Sequence, residues 1–133
     1  MIDCKNEKPN VMRQVLTHRG VHTTYADVVV ESGGTDSAPG PHDYFDAALA
    51  GCKTLTALVY AKSKGIPLES VESHVERDAS KEREGTYTLR VKLAFHGAQL
   101  TDEHRTRLYN AVSRCPLHKL MTVSDVIIET APL

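Results

Sequence analysis

The sequence predicts an α+β fold of antiparallel strands and two or three helices. Three observations carry this. Residues 47–61 are apolar on nearly every side, with polar atoms only on Lys53, Thr54, Thr56 and Tyr60. Residues 86–96 alternate, with Tyr87, Leu89, Val91, Leu93 and Phe95 on one face and Thr88, Arg90, Lys92, Ala94 and His96 on the other, the period of a strand. Short β-rich runs are separated by Gly- and Pro-bearing breaks, which suit hairpins.

Taken in order, residues 1–10 are polar and read as a flexible arm. Residues 11–17 form a candidate strand, Gly20 a turn, and residues 21–31, rich in Val, Thr and Tyr, a second strand. Gly33, Gly34, Asp36, Pro39 and Gly40 make residues 32–40 a loop. Pro41 opens a helix, because a first-turn proline loses no intrahelical bond. Asp43 and Asp46 lie near the positive end of its dipole. Gly65, with Pro67 behind it, stops this helix after Lys64. Residues 68–78 read as a strand, 79–85 as a charged turn and 86–96 as the clearest strand. Thr101 caps a helix over 102–114 with Asp102 and Glu103 in its first turn. Pro116 ends that helix or starts another short one, and residues 125–130 form a final strand.

The length of 133 residues fits a single domain, 1–133, with a modest core. A chain of that size cannot cover the helix of residues 41–64 on every side, so a partner subunit is expected to share the burial. The net charge of −1 and the scattered Lys and Arg argue against nucleic acid as a partner. No apolar run approaches the roughly 20 residues that span a bilayer, and the polar N-terminus lacks a signal-peptide core. A cytoplasmic location is the default expectation. An odd number of cysteines, three, argues against a closed disulfide framework; in a reducing compartment a disulfide here would be transient and catalytic.

Two of those cysteines stand in distinctive segments, Cys52 in the apolar helix and Cys115 at a helix boundary. A free cysteine is usually a small buried hydrophobe, and Cys4 takes that reading or that of a passive thiol in the arm. Cys52 shares a face with Phe45, Ala48, Leu49, Leu55 and Val59, so its thiol should be desolvated and inert unless a cation stands beside it. Arg suits that role because it stays charged when buried. The apolar surroundings would suit a greasy substrate such as an alkyl hydroperoxide. If residues 116–121 form a short helix, Cys115 occupies its N-cap, where free N–H groups and the dipole favour a thiolate. Physical argument alone leaves open which cysteine attacks and which resolves. His118 reads first as a surface residue, with a neighbour of Cys115 and a metal ligand as the alternatives. His18, His22, His74, His96 and His104 are assigned no chemistry.

These segments resemble the osmotically inducible protein C and organic hydroperoxide resistance family (OsmC/Ohr). The matching residues are Pro41, Asp43, Phe45 and the run from Ala47 through Leu49 and Gly51 to Cys52, then Cys115-Pro116-Leu117-His118. The stretch 61–69 (Ala-Lys-Ser-Lys-Gly-Ile-Pro-Leu-Glu) is similar to the segment after the cysteine helix in OsmC-like branches. The order of elements agrees over nearly the whole chain after residue 10.

The resemblance implies an intertwined homodimer whose antiparallel sheets wrap around central cysteine-bearing helices, with two active sites at the interface. It implies a cysteine-based peroxidase for organic hydroperoxides in oxidative and osmotic stress defence, needing no bound cofactor. The position of Cys52 attacks the terminal peroxide oxygen and becomes a sulfenic acid. The position of Cys115 condenses with it to a disulfide, and an external dithiol, of lipoyl type in the peroxidase branch, reduces the pair. Where peroxidase members carry a Glu ten residues before the attacking cysteine, this chain has His42, with Asp43 beside it. Ten helical residues span about 15 Å, so His42 acts on the partner's site or on neither. Arg19, in Thr17-His18-Arg19-Gly20, is the candidate cation.

Two other classes of function stand beside this one. In the first, the same dimer holds a hydrophobic small molecule near Cys52 without turnover, a reading prompted by His42. In the second, Cys52, Cys115 and His118 bind zinc; their spacing matches no familiar structural zinc pattern, and no metal is expected.

Overall fold

A computed structural model describes residues 1–132. The chain divides into two compact units, Met1–Phe45 and the remainder from Asp46 onward.

The first unit is a three-stranded antiparallel sheet in the order β1 (Ile2–Asn6), β2 (Gln14–His18), β3 (His22–Ala26). The expectation of a flexible arm over 1–10 is corrected here. Ile2 pairs with His18 and Asn6 with Gln14, so the segment is an edge strand. All five of its residues are exposed, so backbone pairing rather than burial orders it, and hydropathy carries no trace of that. Arg19 and Gly20 turn the chain into β3 with left-handed φ of 53° and 70°.

The strand expected over 21–31 stops at Ala26. Asp27, buried, gathers five hydrogen bonds on its carboxylate: the amides of Val28, Thr35 and Ser37 and the hydroxyls of Thr35 and Ser37. These donors, led by the Thr35 hydroxyl, hold the Asp27 carboxyl well below the usual carboxylate range. The knot bends the backbone, and Val30–Ser32 becomes a turn of 3-10 helix instead of strand. Gly34 is required inside it, because an added Cβ would lie 2.0 Å from the Val28 carbonyl oxygen.

Helix α1 (Pro41–Lys64) begins in the first unit and continues through the second. Its limits are those that Pro41 and Gly65 predict, and Gly65 has φ of 62°. The helix buries a single stripe, Asp46, Leu49, Lys53, Ala57 and Ala61, spaced three or four residues apart. Off that stripe, Leu55, Leu58 and Val59 are exposed.

In the second unit, β4 (Ser70–Asp78) and β5 (Thr88–His96) form an antiparallel hairpin, with Ser70 opposite His96 and Asp78 opposite Thr88. The alternation read in β5 places Phe95 in the core and leaves Arg90, Lys92 and His96 exposed. Helix α2 (Asp102–Val112) starts at Thr101, whose hydroxyl accepts the His104 amide while His104 Nδ1 accepts the Thr101 amide. Helix α3 (Pro116–Thr122) comes directly after it. The core joins Ala57, Ala61, Ile66, Phe95, Leu108 and Val112, and Phe95 meets Tyr109 edge to face at 4.9 Å between centroids.

The strand expected over 125–130 is not formed. Val126, Ile127 and Ile128 are 60, 85 and 83% exposed. Their β-branched character suits a strand, but a strand needs a neighbour to bond with, and none of the described strands pairs with this segment. No helix among the described residues is long and apolar enough to cross a membrane.

Candidate active site

The second unit brings Cys52 and Cys115 together. Cys52 lies mid-way along α1, partly exposed. Cys115 is fully buried in the corner between α2 and α3. The two thiols are close enough for Cys52 to act on the ionisation of Cys115, and no disulfide joins them.

The corner forms for local reasons. Pro116 cannot donate to α2 and is preset for the first turn of α3. Cys115 therefore takes the N-cap with extended backbone, and its Sγ accepts the His118 amide at 3.4 Å. The Cys115 amide donates to the Val112 carbonyl at 3.3 Å, which closes the end of α2.

An N-cap alone would favour a Cys115 thiolate. The net effect in the structure is the reverse, because burial dominates and pushes the thiol up. The His118 amide lowers it, the Cys52 thiol raises it further, and the charge of Lys53 lowers it.

Lys53 is the residue that the sequence did not single out. A lysine inside a helix reads as a surface residue, yet this one is 7% exposed and donates through Nζ to the Val112 carbonyl at 3.0 Å. Its position on the stripe from Asp46 to Ala61 was the available signal.

Beside Cys52, an apolar trough of about 750 Å³ runs along α1 to the start of α3. Ala48, Gly51, Leu55 and Val59 line one side and Pro116 and Leu117 the other. An elongated apolar molecule can lie there alongside Cys52.

The remaining candidates belong to other segments of the chain. Arg19 is exposed in the turn between β2 and β3, within the first unit. His42 is exposed in the first turn of α1. His118 is exposed and touches Cys115 through its backbone amide. Among the described residues no group of three or more His, Cys, Asp or Glu side chains is arranged to hold a metal.

In sequence, residues 34–130 match the model of the OsmC-like protein family. The chain belongs to the OsmC-like family. Solved structures show the same fold. An OsmC-like protein from Mycoplasma pneumoniae is 22% identical, with a TM-score of 0.71 over 92% of this OsmC-like chain and 87% of that one. The organic hydroperoxide resistance protein OsmC of Legionella pneumophila is 22% identical, with a TM-score of 0.65 over 92 and 88%. The organic hydroperoxide resistance protein OhrB of Bacillus subtilis is 21% identical, with a TM-score of 0.60 over 92 and 90%. No curated protein matches the OsmC-like chain in sequence.

Proposed function

We propose that the protein is a thiol peroxidase that reduces organic hydroperoxides in oxidative and osmotic stress defence. The observation that carries this reading is the neighbouring pair of thiols, Cys52 and Cys115, with Cys52 lining an apolar trough. Cys52 is the attacking thiol because it is the accessible one. Its sulfur takes the terminal peroxide oxygen and an alcohol leaves. Cys115 then attacks the sulfenic sulfur, water leaves, and a disulfide forms. An external dithiol, of lipoyl type, restores both thiols. The names of the Legionella and Bacillus proteins, which refer to organic hydroperoxide resistance, favour this substrate class.

The functional unit is a cytoplasmic homodimer. The exposed apolar residues of α1, Leu55, Leu58 and Val59, are the surface a second copy would cover. Arg19 serves as an auxiliary to Cys52, and His42 acts on the site of the other copy. No cofactor takes part beyond the reductant.

The test is to mix reduced protein with cumene hydroperoxide or hydrogen peroxide and count free thiols. Loss of two thiols per chain, faster with cumene hydroperoxide and abolished by Cys52→Ser, is the expected result. Thiols that survive both oxidants, with Cys52 unmodified, would remove the peroxidase.

The trough itself favours a second reading, a dimer that retains a hydrophobic small molecule without turnover. Native mass spectrometry of the purified protein distinguishes the two by a bound mass that survives purification.

A further inference from the structure

Lys53 has a position that core packing does not explain. It comes next after Cys52 in the chain and points into the buried stripe of α1. An ammonium so placed is costly unless its charge is compensated. Its hydrogen bond goes to the carbonyl of Val112, the last residue of α2, where the helix dipole presents its negative end. The same carbonyl accepts the Cys115 amide. The cation is thus tied to the peptide group that seats Cys115. No salt bridge to a carboxylate is formed by Lys53 among the described residues, and its charge acts on the Cys115 thiol.

Resting on the thiol cycle above, we infer that Lys53 is the resident cation of that cycle: held on the Val112 carbonyl, it stabilises Cys115 as the leaving thiolate when an external thiolate opens the Cys52–Cys115 disulfide by attack on Cys52. Access sets the direction, because Cys52 borders the trough and Cys115 is fully buried. The reductant's sulfur bonds to Cys52 Sγ, the protein S–S bond breaks, and its electron pair stays on Cys115. The second thiol of the dithiol displaces Cys52 from the mixed disulfide. The dithiol leaves oxidised by two electrons, and the two protons it gives up match the two that the cysteines regain. A buried anion formed without a counter-charge would leave slowly, since exchange slows as the leaving thiol becomes more basic. The Lys53 charge acts on Cys115 in the direction that counters this.

The test avoids hydroperoxide altogether. Diamide, a two-electron oxidant of dithiols, converts the purified wild-type, Lys53→Gln and Lys53→Arg proteins to the disulfide. Excess dithiothreitol then reduces it while thiols are counted. Gln keeps a donor for Val112 and loses the charge; Arg keeps the charge. Lys53→Gln is expected to be reduced roughly tenfold more slowly, and Lys53→Arg within about threefold of wild type. A wild-type rate for folded Lys53→Gln overturns the assignment and leaves the peroxidase reading intact. Failure of diamide to join the two cysteines overturns both. If Lys53→Gln does not fold, wild-type disulfide treated with glutathione decides the matter by peptide mass spectrometry. Glutathione on Cys52 supports the direction of attack; glutathione on Cys115 overturns it.

Discussion

Arg77 donates through Nε to the Asp46 carboxylate at 2.6 Å. The Tyr87 hydroxyl donates to the other oxygen of the same group at 2.9 Å. Asp46 is 9% exposed and leads the buried stripe of α1, so one carboxylate ties the helix to Arg77 in β4 and to Tyr87, the residue before β5. Asp46→Ala removes both hydrogen bonds and is expected to destabilise the protein by about 2 kcal/mol. Chemical denaturation with an unchanged slope would measure it; no shift in midpoint would show that the pair contributes nothing net.

Tyr87 gives this cluster an alkaline limit. Burial, aided by the hydrogen bond to Asp46, raises its hydroxyl from the ordinary 10.0 to about 12. The folded value lies above the unfolded one, so the contribution to stability is complete below pH 10 and is lost as pH rises toward 12. Tyr87→Phe is expected to flatten that part of the stability profile. Melting temperatures of the two proteins between pH 9 and pH 11.5, roughly the span the linkage covers, give the comparison.

Cys115→Ser leaves an oxidised Cys52 without its partner. After one equivalent of cumene hydroperoxide this variant is expected to carry a sulfenic acid that dimedone traps, whereas wild type yields a disulfide and little adduct. Equal adduct in both proteins would mean that Cys115 does not resolve Cys52.

Val59 is 68% exposed on α1, beside Leu55 at 62%. Val59→Glu places a charge on the surface assigned to the second copy. Sedimentation is expected to show wild type as a dimer and the variant as a monomer at the same concentration. A dimer that persists would locate the interface elsewhere.

Leu108 is fully buried in the core with Phe95 and Val112. Leu108→Ala is expected to cost about 3 kcal/mol, the transfer and cavity terms of a buried leucine. A calorimetric melt reads this directly, and an unchanged melt would mean that the α2–β5 packing is looser than described.

Elements with local punctuation were legible in the chain. Pro41 and Gly65 bracket α1 at the residues where it begins and ends. Thr101 caps α2 through a bond that its own side chain makes, and Cys115-Pro116 marks α3 in the same way. β1 was not legible, because an exposed edge strand carries no hydropathic period and is ordered by its neighbour. Asp27 hid the end of β3, since its five donors come from residues up to ten positions away. At the site, the two cysteines declared themselves by motif. Lys53 did not, because only the third dimension shows that a lysine reaches the end of another helix. Nor could the N-cap argument foresee that burial would outweigh it at Cys115.

The full burial of Cys115 makes it a built-in clock. Cys4 is exposed and Cys52 partly so, hence a bulky alkylating reagent meets those sulfurs in the folded chain. It reaches Cys115 only when the α2–α3 corner swings open. The lag before a third equivalent is consumed measures how often that corner breathes.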